Sequence, residues 1–290
     1  MSHALEELTA LLRLEQLEVN LFRGLSPDEN RQRVFGGQVA GQALVAAGRT
    51  VDAGRVHSLH SYFLRPGDPQ VPIVYEVDRI RDGRSFTTRR VVAVQHGRAI
   101  FNLAASFQVE EEGPEHQYPM PDAPDPESLP TLAEKLESHL DRFPAEMVEW
   151  IRRERPIDSR SPGLPHWLDP VARTREPEQL VWIRANGTLP DDPLLHACVV
   201  AYASDLTLLD TAVMPHASSW DDDHYMIASL DHAMWFHRPF RADEWLLYHQ
   251  KSPSAHGARG LAEGFLFSRD GRLAVTVIQE GLIRPRARTD

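Results

Sequence analysis

The sequence predicts an α+β fold made of two copies of one unit, each a buried helix set against an antiparallel sheet. Three observations predict it. Residues 194–209 (LLHACVVAYASDLTLL) and 35–48 (FGGQVAGQALVAAG) read as helices with apolar or small residues on nearly every side, so each is enclosed rather than laid on a surface. The strand-like segments are joined by short turn signals, Asp82-Gly83, His96-Gly97 and Asp270-Gly271, and connections this short join antiparallel strands. The order strand, helix, antiparallel strands then occurs twice, with landmarks at almost one offset. Arg65-Pro66 and Arg238-Pro239 lie 173 residues apart, and Gly97-Arg98 and Gly271-Arg272 lie 174 apart.

The elements follow in order. Leucines at helical spacing predict a helix over 5–17, then a short strand at 19–22 and a loop over 24–33. The helix over 35–48 is entered through Gly36 and Gly37. Its small residues Ala40, Gly41, Ala43, Ala46 and Ala47 allow close approach to a sheet, and glycines at a helix start also leave N–H groups open to an anion. Strands are expected at 57–64, 73–81, 86–95 and 98–110. Residues 111–130, rich in proline and acid, read as a linker or surface crossing, and 131–151 as a charged helical patch. The proline-rich stretch 156–178 is irregular, with Trp167 and Leu168 suggesting that part of it packs down. A strand at 180–185 precedes the second buried helix, for which Asp192 is a candidate cap. A polar loop at 220–223 leads to strands at 227–237, 244–250, 259–268 and 272–280. The expected division is a first unit over 1–112, a linker with a helical segment over 113–178 and a second unit over 179–290. A long helix held by a curled antiparallel sheet is the hotdog arrangement, so the fold class is a double hotdog, and two such units can cover their edge strands by joining edge to edge.

Composition narrows the function. The 290 residues carry a formal charge of −11, which disfavours nucleic acid as a partner because phosphate backbones need basic surface. Only Lys135 and Lys251 are lysines, which leaves 29 arginines among the 31 basic groups, suited to carboxylates, phosphates or structural ion pairs. Cys198 stands alone, so an intrachain disulfide and a cysteine metal cage are excluded. No apolar run reaches the ~20 residues that span a bilayer, so stable membrane insertion is not expected. With neither a basic-then-apolar leader nor a Ser-Lys-Leu type ending, a cytoplasmic protein is expected.

The chemistry-bearing residues are those that break the apolar pattern. Asp205 lies near the end of the second buried helix, where an unpaired charge is costly, so it either points out of the core or meets something polar. Ser229, which shares a strand face with Asp231 by period two, and Gln279 at the end of the last strand are the candidates. Together the three could hold a water, Asp205 accepting its proton while Ser229 and Gln279 orient it; the alternative is that these residues face solvent. The repeat sharpens the choice, because Ser229 corresponds to Val56 and Gln279 to Ala105, and 35–51 contains no acid. One unit then supplies chemistry and the other binding surface. Asp231 reads as structural, pairing with His232 or an arginine, and Cys198 as core. The 14 histidines form no HExxH, and no GxSxG elbow is present, so neither a metal nor a serine hydrolase of the α/β type is predicted.

Several stretches carry a family resemblance: FGGQVAGQAL (35–44), HSLHSYFLRPGD (57–68), YASDLTLL (202–209), SLDHAMWFHRPF (229–240) and IQEGLIR (278–284). From about residue 5 to 284 the chain resembles the acyl-CoA thioesterase II family, the TesB type. The resemblance implies a double hotdog that hydrolyses acyl-CoA thioesters, often of medium and long chains, to free acid and coenzyme A, with no metal or organic cofactor. It implies a catalytic set of Asp205, Ser229 and Gln279, with serine where threonine is common. Direct attack by water follows, with helix-start N–H groups such as those of Gly37 and Gln38 on the oxyanion and Arg65, Arg84 or Arg259 for the coenzyme A phosphates. Homo-oligomers are expected, since hotdog units usually assemble further. Two other classes compete: a hotdog enoyl-thioester hydratase, which would need an Asp-His pair at a helix start, and a non-catalytic acyl-CoA binding or scaffolding protein.

Overall fold

The computed structural model describes residues 2–27, 32–164, 175–216 and 225–286. Helix α1 (His3–Leu11) is capped by the Ser2 hydroxyl, which accepts from the Leu5 N–H, and is followed by strands β1 (Glu15–Glu18) and β2 (Leu21–Gly24). The helix expected to reach residue 17 stops earlier because Leu12 and Leu14 are buried from a turn, continuing the apolar spacing without the helix. Helix α2 (Gly36–Gly48) leads to β3 (Arg55–Phe63), β4 (Ile73–Asp82), β5 (Phe86–Gln95) and β6 (Arg98–Gln108). The charged patch resolves into α3 (Leu132–Leu136), a 3-10 turn and α4 (Ala145–Arg152), and the stretch expected to be irregular contains β7 (Ile157–Arg160). Trp167, Leu168 and the expected polar loop at 220–223 lie outside the described residues. The second half is β8 (Glu178–Ala185), α5 (Pro193–Ser204), α6 (Asp210–Val213), β9 (Tyr225–Ser229), β10 (Asp231–Phe236), β11 (Leu246–His256), β12 (Arg259–Ser268) and β13 (Leu273–Pro285). Asp192 caps α5 by accepting from the Leu194 N–H at 2.9 Å.

One sheet runs through the molecule in the order β1-β2-β4-β5-β6-β3-β10-β13-β12-β11-β8-β7, with β9 also on β13. Outward from the β3–β10 seam, β3-β6-β5-β4-β2 and β10-β13-β12-β11-β8 are the same succession. The seam itself is antiparallel, Leu59 opposite Met234, so each unit covers the other's edge. The repeat holds to the residue. Val56 pairs with Phe107 as Ser229 pairs with Gly281, offsets of 173 and 174. Both units also slip register by one just after this pair, between Val56 and Ser58 in the first and between Ser229 and Ala233 in the second.

Helices α2 and α5 lie side by side and antiparallel over one core. Their apolar surroundings follow: Ala43, Leu44, Ala46 and Ala47 of α2 and Cys198 and Ala201 of α5 are fully buried. The glycines of α2 face α5 rather than the sheet as expected, for a Cβ on Gly41 would stand 3.1 Å from the Cys198 carbonyl oxygen. The crossing over 111–130 is anchored on the second unit. Gln117 bonds both the Gly271 carbonyl and the Leu273 N–H, Trp182 donates to the Pro124 carbonyl, and Arg269 pairs with Asp125 and Glu127. Among the described residues no helix is long and apolar enough to cross a membrane.

Candidate active site

Helix α5 ends at Ser204 and not at Leu209. Serine and aspartate compete with the helix for backbone bonds, and here Asp205 is the C-cap. The apolar run continues because the turn after it packs inward, with Leu208 and Leu209 buried. This ending presents the Asp205 carboxylate to the N-terminus of α2. The carboxylate accepts from the Gly37 N–H, and a helix N-terminus favours an anion. Both glycines are required there. A Cβ on Gly36 would sit 2.7 Å from Asp205 Oδ2 and 2.9 Å from the Phe63 ring, and one on Gly37 would collide with the Tyr202 carbonyl oxygen.

The structure brings Asp205, Ser229 and Gln279 together. Gln279 is fully buried, and its Nε2 donates to Asp205 Oδ1 at 2.6 Å and to Ser229 Oγ at 2.9 Å; Ser229 Oγ lies 3.5 Å from the same carboxylate oxygen. A bulge makes this meeting possible. At the register slip, the Leu230 N–H donates to the Glu280 carbonyl, the Phe63 N–H to the Leu230 carbonyl, and the Glu280 N–H to Asp231 Oδ1 at 2.7 Å. Asp231 is therefore structural, but its partner is a backbone N–H and neither His232 nor an arginine. The expectation that Ser229 and Asp231 share a face fails for the same reason. The extra residue turns Ser229 and His232, three apart, toward the helices.

Burial pushes the Asp205 carboxyl up to about 6, with the bonds from Gln279, Gly37 and Ser229 opposing the rise. Asp210, which the sequence reading passed over, is pushed to about 7 by burial and by the charge of Asp205. Its signal was a second acid in the otherwise apolar run after Asp205. The surroundings are aromatic: Phe35 meets Tyr202 edge-on at 5.1 Å, and Phe63 lies against Gly36. His232, 1% exposed, sits behind Gln279 with its Nε2 2.9 Å from Ser204 Oγ.

The other expected positions are placed as follows. The Gly37 N–H lies beside the Asp205 carboxylate and lowers its pKa, and the Gln38 side chain donates to the Leu25 carbonyl and Ser26 Oγ. Arg65 donates to the Ala99 carbonyl, Arg259 pairs with Glu280, and Arg84 lies in the β4–β5 turn. His57 bonds Ser106 and His60 packs on Trp235, away from the trio. Among the described residues, no group of three His, Cys, Asp or Glu side chains is arranged to hold a metal ion.

A carboxylate, a hydroxyl and an amide donor converging where the helices of a double hotdog meet define the class: a double-hotdog hydrolase. Comparison with known proteins identifies the branch. Residues 165–282 match the acyl-CoA thioesterase family, and residues 26–108 match the acyl-CoA thioesterase N-terminal domain. The chain is 46% identical to human acyl-coenzyme A thioesterase 8 over 285 residues, covering 95% of this chain and 88% of the relative. It is 42% identical to acyl-CoA thioesterase 2 of Haemophilus influenzae, covering 98% and 99%. The solved structure of acyl-CoA thioesterase II TesB2 from Mycobacterium marinum superposes with a TM-score of 0.79 at 48% identity, covering 98% and 99%. The chain belongs to the acyl-CoA thioesterase family.

Proposed function

We propose that this enzyme hydrolyses acyl-CoA thioesters to free acid and coenzyme A by direct attack of water. The observation that carries the reading is the Gln279 amide, which spends both N–H bonds on the Asp205 carboxylate and the Ser229 hydroxyl. Asp205 accepts a proton from water as its oxygen bonds to the thioester carbonyl carbon. The tetrahedral adduct then expels the thiolate, which regains a proton to leave as free coenzyme A. Gln279 holds the carboxylate and the Ser229 hydroxyl in register, and those two groups hold the water. A base with a pKa near 6 is ionised at neutral pH and still basic enough to take the proton, which supports this role. No covalent acyl-enzyme is required.

The rings of Phe35 and Phe63 beside the carboxylate favour medium to long acyl chains over short ones. A homo-oligomer is supported by the exposed apolar side chains Tyr62, Leu64, Leu206 and Met226. A cytoplasmic location accords with a lone, buried cysteine. On the same reading, residues 1–112 and 179–290 are the two units and 113–178 their connection. The test is free-thiol release from acyl-CoAs of increasing length, with wild type beside Asp205→Asn. Release by wild type and a loss of about 10³-fold in the variant are expected for removal of a general base. Equal release by both would refute the site, and binding without release by either would mean a carrier.

A further inference from the structure

We propose that His232 is a positioning residue for this reaction, its Nδ1–H holding the Gln279 amide in the one orientation that aims both amide N–H bonds at Asp205 and Ser229. The inference rests on the proposed water-activating role of that trio. A glutamine amide is nearly the same shape when flipped by half a turn. Flipped, it would set its oxygen against the Asp205 carboxylate and leave Ser229 without a donor. Something must hold it the other way.

The buried groups show what does. Gln279 Oε1 is shut off from solvent and unpartnered, and the register of β10 on β13, with Ala233 opposite Ile278, sets His232 beside Gln279. His232 Nδ1 is equally buried and equally unpartnered. One of these atoms can only accept; the other donates in one tautomer and accepts in the other. With the proton on Nδ1, His232 donates to Gln279 Oε1, Ser204 Oγ turns its single hydrogen from the Ala201 carbonyl, 3.0 Å away, to His232 Nε2 at 2.9 Å, and Gln279 gives both its hydrogens to Asp205 and Ser229. With the proton on Nε2, two acceptors confront each other in a dry site, and an amide flip becomes the relief. Burial holds the imidazole pKa down to about 4, so the ring stays neutral near pH 7 and the choice is between tautomers. Ser204 is itself fixed, its carbonyl accepting from the Tyr248 hydroxyl at 3.1 Å.

The first unit supplies an internal control. His232 corresponds to Leu59 and Gln279 to Ala105, and Leu59 and Ala105 are a buried apolar pair in direct register. Where there is no amide to orient, there is no imidazole.

The first test uses the wild-type protein. Long-range nitrogen–proton correlation on histidine-labelled enzyme should find His232 protonated at Nδ1 and not at Nε2; the reverse tautomer would overturn the proposal. The second uses replacements. Asparagine places its amide nitrogen near the Nδ1 position and glutamine near the Nε2 position. His232→Asn should keep kcat within about threefold of wild type, whereas His232→Gln should lower it about 10- to 100-fold with KM within about twofold, the range expected for misplacing a catalytic group by about 1 Å. In a Gln279→Ala background, His232→Gln should lower kcat no further. Equal kcat in the Asn and Gln variants, or a further loss in that background, would overturn the proposal. If Gln279→Ala lowers kcat but His232→Gln does not, only this inference fails. If Gln279→Ala leaves kcat intact, the reading of the trio fails with it.

Discussion

Asp205→Asn is expected to remove hydrolysis and, at pH 8, to leave a more stable protein. The carboxyl stands at about 6 in the folded chain against 3.8 for an unperturbed aspartate, a rise of about 2 units caused first by burial. At about 1.4 kcal/mol per unit, holding this charge in the fold costs about 3 kcal/mol at any pH above 6. The sign follows from proton binding. Between pH 4 and 6 the folded state keeps a proton that the unfolded state has lost, so wild-type stability falls as pH rises through that window. Asparagine carries no charge and escapes the cost. It does offer one acceptor oxygen to two donors, Gln279 Nε2 and the Gly37 N–H, which takes back about 1 kcal/mol. The net gain at pH 8 is about 2 kcal/mol, on the order of 5 °C in Tm for a chain of this size. Thermal unfolding of both proteins at pH 8 and pH 4.5 measures it. The variant should lead at pH 8, and the gap should close at pH 4.5. A variant less stable than wild type at pH 8, or a gap that ignores pH, would refute the claim that this carboxylate is held ionised against its burial.

Four other outcomes are expected. kcat/KM should fall as pH drops through about 6, where Asp205 takes up its proton, and the decline should be broad because Asp210, at about 7, titrates beside it; a pH–rate profile of thiol release checks this. Gly36→Ala puts a methyl against Asp205 Oδ2 and the Phe63 ring, and should lower kcat about 10- to 100-fold by displacing the carboxylate while circular dichroism stays that of wild type. Asp231→Ala strips the bulge of its acceptor for the Glu280 N–H, and should cost about 1–3 kcal/mol in urea unfolding together with a fall in kcat. Arg89→Met should cost about 3 kcal/mol, since it leaves buried acceptors without their donor, yet leave kcat near wild type because Arg89 lies in the other unit.

What could be read from the sequence was whatever repeats. Turn signals such as His96-Gly97 placed the first unit's strands almost to the residue, because a hairpin's register is set by its turn, and Gly97 and Gly271 do adopt the positive φ such turns need. The meeting of Asp205, Ser229 and Gln279 was legible as three polar interruptions with apolar counterparts in the other half. Three things were not. The end of α5 at Ser204 was hidden because Leu208 and Leu209 keep the apolar pattern going in a turn. The bulge at Leu230 left no glycine or proline to mark it, so period two carried Ser229 and Asp231 to one face on paper. The place of Gly37 beside the Asp205 carboxylate was hidden because nothing in the sequence of α2 names its neighbour; only the antiparallel pairing of α2 with α5 brings the two together.

The same register explains why only one of two equivalent places carries the chemistry. In the second unit Ala262 on β12 stands opposite Gln279 on β13; in the first, Arg89 on β5 stands opposite Ala105 on β6. The offsets are again 173 and 174. Each pair joins one small and one large side chain, but the large one has changed strands. The methyl of Ala262 leaves room for Gln279 to reach Asp205 and Ser229. The methyl of Ala105 leaves room that Arg89 fills, its guanidinium bonding Thr50 Oγ1 at 2.8 Å, the Thr50 carbonyl at 2.9 Å, the Thr88 and Arg81 carbonyls and the Asp82 carboxylate. Thr50 lies just past the end of α2, as Asp205 lies just past the end of α5. A site that in one unit holds a carboxylate at a helix end is in the other closed by a cation bonded to helix-end backbone. The first unit, relieved of chemistry there, contributes at the opposite end of the same helix, where the N–H of Gly37 holds the carboxylate of the second.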